Sequence, residues 1–185
     1  LSLFAKNENE RRIHIKAIGP VWDGNEVWLL TAGGALFAAF PPVYATMFEG
    51  FYVALMLVLA ALIFRAVSIE FHHKIESPSW QRTWSLAFGI GSLLAALLFG
   101  VAAGNVVRGV PISEDFMFTG SFIGLLNPYS LLVGVAALVL LTAHGASYMT
   151  LKTEGALRER MGGWALRGFA LFVVLFIVAY AWTLT

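Results

Sequence analysis

Two carboxylates, Asp23 and Glu26, sit between two tryptophans, Trp22 and Trp28, at the mouth of the 22 uncharged residues Val27 to Phe48. Tryptophan favours the membrane–water interface, and an uncharged stretch of that length is long enough to cross a bilayer. The acids are therefore expected at or just below headgroup depth, where carboxylates commonly mark a proton or ion route. Their D-x-x-E spacing also fits a capping box, in which Asp23 satisfies the first free N–H groups of a helix and Glu26 reaches back. The two readings are compatible, since a cap partly desolvated between indoles can still exchange protons with the adjoining water.

Further groups invite chemistry. Arg65 closes a second apolar stretch; it is either a snorkelling anchor or the partner of a buried acid. His144, in Thr142-Ala143-His144-Gly145-Ala146-Ser147-Tyr148, falls inside an apolar run. There an imidazole can ligate haem, relay protons or bond a neighbouring helix. A bis-histidine haem needs a second intramembrane histidine, and His14, His72 and His73 all fall in polar segments. His144 is accordingly expected as a buried hydrogen-bonding residue, and the chain is expected to bind no haem or metal itself. The adjacent His72 and His73, in a basic juxtamembrane run, are expected to be solvated or lipid-facing, and Glu49 to be a solvated turn residue.

The elements that must position these groups follow from composition. Apolar residues make up 59% of the 185-residue chain and charged residues 12%, with a mean hydropathy of +0.78. Soluble domains carry about a quarter charged residues, so the chain reads as an all-α, polytopic transmembrane helical bundle. Charge marks off a juxtamembrane segment, 1–26, and five spans at about 27–48, 50–69, 84–107, 129–151 and 164–184. Asn127-Pro128 makes a helix start, with Asn as cap and Pro at the first helical position. The apolar stretch 116–126 before it is too short to span and is read as interfacial or re-entrant. Gly100 with Gly104, Gly120 with Gly124, and Gly33 with Gly34 are candidates for close helix approach. A net charge of +1 gives no basic field for nucleic acid, and the absence of cysteine excludes disulfides, thiolate metal sites and c-type haem attachment. The chain lacks an initiator methionine and stops after an apolar run, which reads as an internal piece of a longer protein.

Threading five spans places 11 of the 12 Lys and Arg residues on one side and only Arg108 on the other. The positive-inside rule then turns the Asp23 end toward the cytoplasm.

The run Gly19-Pro20-Val21-Trp22-Asp23-Gly24-Asn25-Glu26-Val27-Trp28-Leu29, followed by Thr31-Ala32-Gly33-Gly34-Ala35-Leu36-Phe37-Ala38-Ala39-Phe40-Pro41, resembles the signature of subunit II of cytochrome bd-type quinol oxidases. Gly50-Phe51-Tyr52, Phe64-Arg65, Gly104-Asn105, Gly109-Val110-Pro111, Leu126-Asn127-Pro128-Tyr129, His144-Gly145-Ala146-Ser147-Tyr148 and Lys152-Thr153-Glu154-Gly155 follow in the family's order, so the match runs from about Glu10 to Thr153. The resemblance implies a multi-pass subunit of a terminal oxidase in a prokaryotic cytoplasmic membrane. Such an oxidase oxidises quinol and reduces dioxygen to water, with haems b and d in partner subunit I and none in this subunit. It further implies a proton-path role for Asp23, with Trp22 and Glu26 beside it, an ion-pairing role for Arg65, and an accessory single-helix subunit as a further partner. Some members carry an acid after the tryptophan where this chain has Trp84-Ser85, and some have glutamine at the place of Glu26. The family's subunit has about nine spans, of which these would be the second to sixth.

Two other classes are kept as alternatives, the second with only His144 to qualify for it. A proton-coupled transporter would show broken helices, which Pro41-Pro42 favours, and a b-type cytochrome anchor would project two histidines into one bundle.

Overall fold

The computed structural model describes residues 1–184. A short 3₁₀ turn, Ser2–Phe4, precedes eight helices: α1 (Glu8–Ile18), α2 (Trp22–Ala39), α3 (Pro41–Gly50), α4 (Tyr52–Phe71), α5 (Pro78–Arg108), α6 (Phe122–Leu125), α7 (Pro128–Lys152) and α8 (Gly155–Thr183). Between α5 and α6, Ile112 and Phe118 form an isolated antiparallel bridge, and the described residues contain no strand.

Four helices, α4, α5, α7 and α8, are long and apolar enough to cross a membrane. The stretch 27–48, expected as one span, is divided. Phe40 leaves the helical region with φ −138° and ψ 62°, and α3 restarts on Pro41. Proline lacks an N–H and clashes with a helical predecessor, so a Pro-Pro pair breaks an otherwise apolar run. The segment 116–126 is, as expected, no span: it holds only α6 and part of a loop. Asn127 caps α7 by accepting from Ser130 N–H at 2.9 Å.

Small residues set the spacing of the spans. A Cβ on Gly91 would lie 2.6 Å from the Ala61 carbonyl oxygen, which brings α5 against α4. One on Gly100 would meet Ala137 Cβ at 2.6 Å and Gly134 Cα at 2.8 Å, and Gly168 sits 2.8 Å from Ala143 Cβ in the same sense. Backbones in lipid approach this closely only where a side chain is missing. Gly33 and Gly34, by contrast, face open space. The packed order is α4 on α5, α5 on α7, α7 on α8, with α1 folded across one end onto Ile69 and Phe88 through Ile15 and Ile18.

Candidate functional site

The site begins with how α1 is fastened. Asn7 caps it by accepting from Glu10 N–H at 2.9 Å, while Glu10 reaches back to Lys6 N–H at 2.8 Å. A two-way cap of the kind expected at Asp23 and Glu26 is thus found at Asn7 and Glu10, with the glutamate reaching one residue past the cap. α1 is also tied sideways: Glu10 Oε2 accepts from Arg160 Nη2 of α8 at 2.5 Å. That guanidinium holds Glu10 below the usual carboxylate pKa.

Firmly seated, α1 presents Ile15 and Ile18 to a cluster on which Trp22 packs. Trp22 thus opens α2 with its indole half-buried, and the cap position falls on Val21, with no side-chain hydrogen bond. Asp23 therefore lies inside the first turn and caps nothing; its carboxylate is exposed. The expected cap fails because packing of Trp22 starts the helix before Asp23.

Glu26, one turn further in, is half-buried and meets Arg65 of α4, Nη1 to Oε1 at 3.3 Å, with side-chain exposures of 24% and 23%. Depth explains the pairing. Glu26 lies about 6 Å along α2 from Trp22, and Arg65 about 9 Å along α4 from its end at Phe71, so the two reach comparable levels. Arg65 is thus engaged with an acid, and that acid is Glu26. Behind it, Gly91 of α5 leaves room for the α4 backbone at Ala61 and Arg65.

At the C-terminal cap of α4, a histidine expected to be solvated or lipid-facing is neither. His72 is fully buried, with Nε2 3.1 Å from Glu8 Oε1 and 3.0 Å from Ser85 Oγ. Burial depresses its pKa, opposed by Glu8. It is covered because α1 lies over the end of α4, a tertiary event without a local signal. His14, on the same helix, is pushed down to about 4, chiefly by burial.

His144, expected to be buried, is exposed on the lateral surface of α7. The inward stripe of that helix is Ala136, Ala143, Ala146 and Met149. The histidine follows Ala143 by one residue, about 100° round the helix, which turns it outward. The donor set does not suit an axial histidine pair: both ring nitrogens of His72 have protein neighbours, His14 and His73 lie outside the spans, and His144 faces away from the bundle. Among the described residues no three His, Asp or Glu side chains converge for a metal ion.

A family model described as cytochrome bd terminal oxidase subunit II matches residues 1–185. The chain belongs to that family. It is similar to the probable cytochrome oxidase subunit 2 of Haemophilus influenzae, 47% identical over 98% of this chain and 49% of the relative. It is also similar to the cytochrome bd-I ubiquinol oxidase subunit 2 of Escherichia coli K12, 45% identical over 98% and 49%. The cytochrome bd ubiquinol oxidase subunit 2 of Bacillus subtilis is 44% identical over 83% of this chain and 46% of its own length. The chain thus spans about half the length of these relatives. With its four long apolar helices, this cytochrome bd subunit II family member is a protein of the bacterial inner membrane.

Proposed function

We propose that the chain forms part of subunit II of a quinol:dioxygen oxidoreductase, supporting a partner subunit I that carries the haems, and that its Asp23 end lines a proton path from the cytoplasm. The names of the relatives support the oxidase reading. The observation that carries the proton path is the Glu26–Arg65 pair at 3.3 Å, one helical turn inward of the exposed Asp23. Asp23 meets water and can load a proton; Glu26, on the same face of α2, offers the next carboxylate. Trp22 walls the entrance through its contact with Ile15, Ile69 and Phe88. Arg65 supplies a fixed positive charge that stops the route from passing a cation in place of a proton. The 11-to-1 distribution of Lys and Arg supports a cytoplasmic placement of this end. Haems b and d, the quinol substrate and an accessory single-helix subunit belong to the complex and not to these residues.

Asp23→Asn in the complete oxidase tests the reading, because an amide retains hydrogen bonding and loses the titrating proton. Assembly and haem spectra are expected to stay normal while oxygen consumption falls about tenfold or more, with a changed pH profile. Unchanged turnover across the pH range would remove Asp23 from the path.

A further inference from the structure

At the end of the bundle remote from Asp23, the loop between α5 and α6 encloses a cavity of about 380 Å³ against the last turn of α5. Its walls combine Arg108 and Ser121 with the apolar surfaces of Pro111, Phe118 and Leu125. Gly120 belongs to the same wall: a Cβ there would meet Phe118 at 2.6 Å and Pro111 at 2.9 Å.

Several contacts hold this cavity in shape. Glu49 accepts from Phe118 N–H at 3.2 Å, Thr46 donates to the Phe116 carbonyl at 2.7 Å, and Thr119 N–H donates to the Pro111 carbonyl at 3.1 Å. On the bundle side, Asn105 Nδ2 donates to the Leu125 carbonyl at 2.7 Å, and its Oδ1 accepts from Asn127 Nδ2 at 3.0 Å. The pocket wall is therefore latched to α3, α5 and α7.

Arg108 is the one Lys or Arg between residues 83 and 151. Its guanidinium has no ion pair or hydrogen bond among the described residues, although the loop that follows carries Glu114 and Asp115. A cation at the C-terminal end of α5 gains from the helix dipole. That accounts for the charge but not for a latched cavity beside it. Ser121 Oγ accepts from Gly124 N–H at 3.1 Å, which leaves its O–H free to donate. A planar five-donor fork and a hydroxyl at the rim of an apolar-walled pocket, at the end of a membrane span, match one chemical class. It is a phosphodiester with a greasy tail.

We propose that this cavity binds the headgroup of an anionic phospholipid of the phosphatidylglycerol class. Arg108 takes the phosphate in a bidentate grip and Ser121 donates a further hydrogen bond. Phe118, Pro111 and Leu125 cover the glycerol and the first acyl carbons. The apolar walls distinguish this occupant from a free anion, which has no use for them.

The test is native mass spectrometry of the full-length protein with its native partner, released from nanodiscs containing phosphatidylglycerol or phosphatidylcholine. Wild type is expected to retain one phosphatidylglycerol that Arg108→Gln binds about tenfold more weakly, with Ser121→Ala in between. Arg82→Gln, at the opposite end, should retain it as wild type does. An unchanged melting temperature of Arg108→Gln confirms that the exposed substitution leaves the fold intact. Equal retention by wild type and Arg108→Gln, or equal retention of phosphatidylcholine, would overturn the proposal. So would displacement of the lipid by millimolar inorganic phosphate, which would assign the pocket to free anions.

Discussion

Removing either partner of the Glu26–Arg65 pair should cost far more than a surface ion pair does. At 3.3 Å, with each side chain about three-quarters covered, the pair lies between two measured regimes. Exposed pairs contribute about 0–1 kcal/mol, and truncating one partner of a fully buried pair costs about 3–5 kcal/mol. The geometry places Arg65→Leu and Glu26→Gln at about 2–3 kcal/mol each, most of it from stranding the opposite charge. Arg65→Lys should recover only part of that, since an ammonium lacks the planar fork and has a shorter reach. The double variant, Arg65→Leu with Glu26→Gln, removes both charges and should be less destabilised than the two single losses added, giving a coupling of about 1–2 kcal/mol. The assay is reversible unfolding of the full-length protein in mixed micelles, with yield of the assembled complex as a parallel readout. Two results would refute the reasoning: single losses below about 0.5 kcal/mol, or a coupling near zero. A fully active Arg65→Lys would reduce the residue to a topology anchor.

Other positions give sharper structural tests. Gly100→Leu forces a side chain into the Gly134 backbone 2.8 Å away and should destabilise the α5–α7 contact by about 3 kcal/mol, whereas Gly162→Ala, whose Cβ meets nothing nearer than 4.0 Å, should be near neutral by the same unfolding assay. Asn105→Leu leaves the Leu125 carbonyl and the Asn127 amide without their partner; a loss of about 2 kcal/mol and faster proteolysis between residues 109 and 127 are expected. His14 has a folded pKa of about 4 against 6.5, so its contribution is complete above pH 6.5 and is lost as pH falls toward 4. The loss should be about 2 kcal/mol after screening, seen as a falling thermal midpoint that flattens in His14→Gln, while Glu10, held low by Arg160, adds its own loss only in more acid solution.

Composition and charge spacing decided the class of this protein. Long uncharged runs cannot be dissolved in water, and helices are the one way such single runs satisfy their backbone in lipid, so α4, α5, α7 and α8 were legible along with the Asn127 cap. Gly100 was legible as a contact because close approach in lipid selects for a missing side chain. Local chemistry was less decisive where two readings competed. The Asp23–Glu26 spacing suited a cap, yet packing of Trp22 on Ile15, Ile69 and Phe88 began the helix earlier and freed Glu26 for Arg65, 39 residues away. The burial of His72 beneath α1 and the outward turn of His144 depended on which helix lies over which, and the Glu49 latch on Phe118 joins groups 69 residues apart. The contacts of His72 with Glu8 and of Glu49 with Phe118 are both long-range. Periodicity tells a residue which face of its own helix it occupies, but only the packing of the other helices decides whether that face meets protein or lipid.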